Sequence, residues 1–178
     1  MAIEKRTQFE IDHRFDPVKN RHYINGVCSV LHCHHYATLY TQLAVDAVDF
    51  EGLRHLVETS EDVFYETLDR YFKEKGVEAI EEKIEIAQQY WQALGMGLIR
   101  FTGIGKYEVV AEMEYSHLDE GWLKKWGGND KPVNFFTVGF VAAVAALVND
   151  RPTRSFQARE TRGLVCGDEK SEFKAVVK

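Results

Sequence analysis

The chain has 178 residues, of which 45% are hydrophobic and 28% charged, and its 22 Lys and Arg against 28 Asp and Glu leave a formal net charge of −6. These are the proportions of an ordinary globular protein with one sizeable core, and they lack the concentrated basic face that a nucleic-acid partner requires. No apolar run follows the charges of Met1–Arg6, so no secretory signal is expected. The longest apolar stretch, Val138–Val148, has 11 residues, too few for a membrane span. Cys28, Cys33 and Cys166 then read as reduced thiols in a cytoplasmic protein.

Along the chain, residues 1–20 are polar and without periodicity, which predicts an arm or a peripheral strand. Asn25-Gly26 is a turn signal ahead of the β-prone run Val27–Leu31. From His34 to Val48 the residues Tyr36, Leu39, Tyr40, Leu43, Ala44 and Ala47 fall on one stripe and predict a helix. After a break near Gly52 and a short piece Leu53–Val57, Ser60 is placed to cap a helix opened by Glu61-Asp62, with Val63, Phe64, Leu68, Tyr71 and Phe72 as its buried face and Gly76 as its end. Ile80, Ile84, Ala87, Trp91 and Leu94 mark a further amphipathic helix closed at Gly95.

The period then changes. Gly97–Thr102 and Tyr107–Glu114 read as two strands joined around Gly103-Ile104-Gly105, with Val109, Ala111 and Met113 on one face. A short amphipathic piece, Leu118–Trp126, stops at Gly127-Gly128-Asn129. Asn134–Val148 is apolar on every side, about 22 Å of helix at roughly 1.5 Å per residue, and must therefore be central. Two strands, Thr153–Thr161 and Lys170–Val177, follow around a Cys166-Gly167-Asp168 turn. The expected fold is a single α+β domain over 1–178, with an arm (1–20), a strand and helical part (21–95) and an αβ part (96–178). Its N-terminal helices pack with an antiparallel sheet made of two hairpins flanking a buried helix.

The final segment, Arg159-Glu160-Thr161-Arg162-Gly163-Leu164-Val165-Cys166-Gly167-Asp168-Glu169-Lys170-Ser171-Glu172-Phe173, resembles the ending of 4-vinyl reductase domains, and Phe135–Phe140 resembles the family's buried helix. The resemblance covers residues 85–178. It implies a fold that encloses a small apolar ligand, similar to TRAPP subunits and to phenol-sensing activator domains, and commonly a homodimer. Aromatic-sensing members hold a structural zinc through three cysteines and a strand glutamate. Here the glutamate falls on Glu160, but the cysteine positions carry Gly163 and Ser171 and lie close to Thr137. A carboxylate alone cannot close a tetrahedral zinc site, so that site is expected to be empty.

Outside the resemblance, His32-Cys33-His34-His35-Tyr36 is the densest set of donor side chains. Imidazole and thiolate suit a transition metal such as zinc, with His32, Cys33 and His35 as ligands completed by Glu160, Cys28 or His117. The same histidines could instead hold a polar group at the end of an apolar pocket, or cap the helix. Neither a spaced HxxxH nor a CxxC motif is present. The expected ligand contacts are His32, His35, Tyr36, Tyr40, Trp91, Trp122, Phe136 and Phe140, with Trp122 and Trp126 as a lid. Gly103-Ile104-Gly105 and Gly127-Gly128 match no phosphate-binding loop, so no nucleotide is expected.

Three readings compete. The first is a homodimeric small-molecule binding protein, a sensor, carrier or accessory factor for an aromatic, tetrapyrrole or lipid-like ligand. The second is a metal-dependent enzyme or metallo-carrier built on His32–His35. The third is a subunit of a larger redox assembly, for which exposed apolar patches would be the sign.

Overall fold

The computed structural model describes residues 8–30 and 32–178; Leu31, at the end of the expected first strand, lies outside them. The segment expected as an arm with one strand forms a small antiparallel meander of β1 (His13–Asp16), β2 (Arg21–Ile24) and β3 (Val27–Ser29). Asn25 and Gly26 both take positive φ, 47° and 79°, the conformation of a two-residue hairpin turn. Then come α1 (His34–Asp46), a single 3-10 turn, α2 (Gly52–Lys75), α3 (Ile80–Ala93), β4 (Gly97–Ile104), β5 (Glu108–Ser116), α4 (His117–Trp126), α5 (Phe135–Val148), β6 (Phe156–Arg162) and β7 (Ser171–Val177).

The second sheet is antiparallel in the order β4-β5-β7-β6. It consists of the two expected hairpins, joined edge to edge through β5 and β7. Val109, Ala111 and Met113 lie on its buried face together with Phe173 and Ala175. Every residue of α5 from Thr137 to Val148 is buried, because the helix lies between this sheet on one side and α2 and α3 on the other. The all-round apolar sequence of α5 is thus explained by its cover. No described helix is long and apolar enough to cross a membrane.

Ser60 does not start a helix. α2 runs unbroken through it, and the Ser60 hydroxyl is turned onto α5, donating to the carbonyl oxygen of Phe136 at 2.7 Å. Opposite it stands Gly139, where an added Cβ would lie 2.5 Å from Ser60 Cβ and 2.6 Å from the carbonyl oxygen of Val57. The two small residues are a point of close helix approach, and local sequence rules read one of them as a cap. Glu61, expected at an exposed first turn, is buried and accepts from the Arg154 backbone N–H at 2.6 Å and pairs with its guanidinium at 2.9 Å.

The stripe of α1 is reversed from expectation. Ala37, Thr38 and Thr41 face the interior, while Tyr36, Leu39, Tyr40 and Leu43 are 40–54% exposed. The threonine hydroxyls donate back to the carbonyls of His34 and Ala37 at 2.7 and 2.9 Å, so they can be covered without leaving a polar group unpaired. α4 packs on this small face, with Gly121 against Thr38 and His34. Periodicity locates a stripe but does not say what covers it. On α2, Val63 is likewise exposed, whereas Leu68, Tyr71 and Phe72 are buried as expected.

Candidate functional site

Two places in the core bring together groups suited to a small ligand. The first is a groove of about 440 Å³ bounded by α2, α5 and β6. Val57, Val138, Ala142, Phe156 and Ala158 are among the apolar side chains that line it. The β6 residues alternate in and out, so Phe156, Ala158 and Glu160 share the face toward α5, and Val138 and Ala142 stand one helical turn apart on the side of α5 that meets them. Charged groups of the same lining are Arg54, Glu58, Glu61, Arg154, Arg159, Glu160 and Lys178. Arg154 is committed to Glu61 and Asp62, and Arg54 to Glu51. Arg159 forms no ion pair among the described residues. A volume of this size lies within the roughly 300–1,000 Å³ of small-ligand pockets. The larger cleft between α3 and β4, about 780 Å³, is lined by Leu98, Ile99 and Phe101 but mostly by polar residues, among them four glutamines and Arg100, which suit water better than an apolar body.

The second place lies on the opposite flank of α5. Phe140 packs against Trp91 with ring centres 4.4 Å apart, and Phe64 closes on both at 5.4 and 5.1 Å. Trp91 is fully buried, and its indole Nε1 has no hydrogen-bond partner. A buried N–H without an acceptor costs about 1–3 kcal/mol.

Of the eight expected ligand residues, Trp91 and Phe140 meet in the core, whereas the ring contacts of Tyr36 with His32 and Tyr40, at 6.3 and 6.4 Å, lie on the exposed side of α1. His32, His35, Tyr36 and Tyr40 are exposed at the start and along the outer face of α1. Phe136 is half-buried beside the groove, with its neighbour Phe135 in the lining. Trp122 is not a lid: it is buried with Val133 and Val165 in a second small core. The burial of Trp91 and Phe140 was therefore legible in the sequence. The groove was missed because its wall comes from three segments far apart in the chain, and the only local hint was the alternation Phe156-x-Ala158-x-Glu160.

Glu160 is far from free. Its Oε2 accepts from the backbone N–H of Asn134 at 2.9 Å. Asn134 in turn donates to Asp119 Oδ2 at 2.7 Å and to Ser116 Oγ at 3.1 Å, and accepts from the Thr137 hydroxyl at 2.6 Å. Ser116 caps α4 and Asn134 caps α5, so Ser116-x-x-Asp119 and Asn134-x-x-Thr137 were readable as helix starts. Burial, and next the neighbouring Asp119 charge, push the Glu160 carboxyl up to about 8, and burial also raises that of Asp119.

Zinc does not fit at this position. Gly163 offers no side chain, the Ser171 hydroxyl accepts from the Leu164 N–H at 3.1 Å, and the Thr137 hydroxyl is spent on Asn134. Cys166 is the one thiol nearby, and burial pushes its pKa up, which disfavours the thiolate. Nor does Glu160 join the histidines: its recorded partners are Asn134, Asp119, Ser171 and Val133. Among the described residues, no three His, Cys, Asp or Glu side chains are grouped to hold a metal. The set His32, Cys33, His35 and Glu160 is thus not assembled, because β6 carries Glu160 toward α5 and away from the start of α1.

No protein-family model matches the chain, and no curated protein matches it. Its fold is that of two kinds of solved structure. One is the phenol-responsive sensory domain of the transcription activator PoxR with phenol, at 12% identity and a TM-score of 0.76, over 93% of this chain and 84% of that one. The other is a trafficking protein particle complex subunit 3 from Naegleria fowleri covalently bound to palmitic acid, at 12% identity and a TM-score of 0.52, over 82% of this chain and 95% of that one.

Proposed function

We propose that this protein is a small-molecule binding protein of the 4-vinyl reductase type whose groove between α2, α5 and β6 takes a lipid-like molecule with an acidic end. The groove carries the reading: an apolar floor of Val57, Val138, Ala142, Phe156 and Ala158, with Arg159 and Lys178, neither in an ion pair among the described residues, at its rim. Burying apolar surface supplies affinity at about 25 cal/mol per Å², and a carboxylate at Arg159 would fix orientation. The palmitic-acid-bound structural neighbour supports an acyl chain as the ligand class.

A second reading is favoured by the unpartnered indole N–H of Trp91. A phenolic or carbonyl oxygen would satisfy it, with the ring stacked among Phe64 and Phe140, as the phenol-bound neighbour suggests. Titration with dodecanoic acid and with phenol separates the two. The groove reading expects dodecanoate binding that weakens at least tenfold in Ala142→Trp, which fills the floor, and is unchanged in Trp91→Phe. Phenol binding lost in Trp91→Phe and kept in Ala142→Trp would transfer the function to the aromatic site. Binding of neither compound would overturn both readings.

The assembly is a homodimer through the outer face of α1 in this account. Tyr36, Leu39, Tyr40 and Leu43, followed by Val48 and Phe50 at 76 and 79% exposure, are a run of exposed large apolar side chains of the kind that marks an interaction surface. Sedimentation of the wild type should give a dimer, and Leu39→Glu with Leu43→Glu a monomer. A wild-type monomer would instead assign this face to a different partner, as in the reading of a larger assembly.

A further inference from the structure

We propose that the junction of α1 and α4 is a binding site for a divalent transition-metal ion, with His34 and His117 as its fixed ligands. The residues come from two elements. His34 opens α1 and His117 opens α4, and their rings stand edge to face with centres 5.6 Å apart. Two imidazoles sharing one tetrahedral ion have their ring centres about 5 Å apart, given metal–nitrogen bonds of about 2.0–2.1 Å. The pair is therefore within a small side-chain adjustment of a shared ion.

A second observation points to a ligand at this place. His34 Nε2 is buried and has no hydrogen-bond partner. The ring is held there by packing: Gly121, one turn after His117 on α4, leaves the space that the His34 side chain occupies, and a Cβ at Gly121 would come within 2.8 Å of His34 Cβ. In the neutral tautomer that leaves it unprotonated, an orphaned imidazole nitrogen beside a second imidazole offers a lone pair to a metal ion. Burial lowers the pKa of both rings, and the His34 charge adds to this at His117.

The available third donor is His32, exposed two residues before His34. Because no three donors are grouped among the described residues, His32 must rotate to complete the site, with water in the remaining position. His35 stacks on His34 at 4.4 Å and touches Cys33 Sγ through Nδ1 at 3.6 Å, so it supports the ring and is not needed as a ligand. Lys124 and Glu120 also act on His34, with opposite signs. Such a site favours a borderline ion such as Zn²⁺ or Ni²⁺ over Mg²⁺ or Ca²⁺, which require oxygen donors. The bound ion would staple α1, with its exposed apolar face, to the rest of the domain.

The test is calorimetric titration of the full chain with Zn²⁺ at pH 7.5, and with Mg²⁺ as the comparison. Expected is one Zn²⁺ per chain, with binding at least tenfold weaker in His34→Gln and in His117→Gln and Mg²⁺ not bound. Imidazole ¹⁵N spectra of the wild type provide a readout that does not depend on either variant folding: Nε2 or Nδ1 of His34 and His117 should shift on metal addition. A different pair, His13 and His22, is linked at 2.8 Å on β1 and β2. Zn²⁺ binding that maps to those rings, or no Zn²⁺ binding at all, would overturn the proposal.

Discussion

Gly139→Val should abolish stable folding, or lower the unfolding free energy by about 3 kcal/mol or more, in the range of severe overpacking. The reason is local and backbone-based. The new Cβ would sit 2.6 Å from the carbonyl oxygen of Val57 and 2.5 Å from Ser60 Cβ, and a main-chain oxygen inside a helix cannot rotate away. α2 and α5 would have to separate along their contact, which would also break the hydrogen bond from Ser60 to the Phe136 carbonyl. Chemical denaturation monitored by circular dichroism checks this. The companion change Ser60→Ala loses that hydrogen bond alone and should cost about 1 kcal/mol. A Gly139→Val protein as stable as the wild type would mean that the two helices do not cross as described.

The protein should lose stability as pH rises from about 5 to 8, with Glu160 as a principal cause. Its carboxyl is raised from 4.5 to about 8 by burial and by Asp119. A carboxyl with a higher pKa in the folded state holds more protons there than in the unfolded chain. Its favourable contribution is therefore complete below the unfolded value and is lost as pH climbs through the folded one. The slope from one such group is at most about 1.4 kcal/mol per pH unit. Glu160→Gln keeps an acceptor for the Asn134 N–H and cannot ionise, so it should flatten the decline and be more stable than the wild type near pH 8. Urea denaturation at half-unit pH steps measures it. An equal slope in wild type and variant would show that Glu160 is ionised in the fold at neutral pH.

How far the sequence carries differs between parts of the chain. α5, the two hairpins and α3 were legible because their patterns depend on burial alone: twelve consecutive residues of α5 are covered, and Val109, Ala111 and Met113 alternate as a half-buried strand must. The break near Gly52 is where α2 begins, but α2 was read as two pieces because Ser60 is punctuation in local terms, whereas it serves a tertiary contact with Gly139. The face of α1 was misassigned for a related reason: its threonines satisfy their own hydroxyls and so can be buried, leaving the aromatic and leucine side outside. In the candidate site, Trp91 and Phe140 could be anticipated from bulk and helix position. The groove, the pairing of Asp119 with Asn134, and the approach of His117 to His34 arise from contacts between segments that no local pattern joins.

The measurement that bears most directly on the groove is photo-crosslinking with a diazirine-bearing fatty acid, followed by mass spectrometry of the labelled peptides. The account predicts labels on α2 around Leu53–Glu58, on α5 around Phe135–Ala142 and on β6 around Phe156–Glu160, all competed away by unlabelled dodecanoate. Labels confined to Phe64 and to the peptide carrying Trp91, or spread over the outer face of α1 without competition, would contradict it.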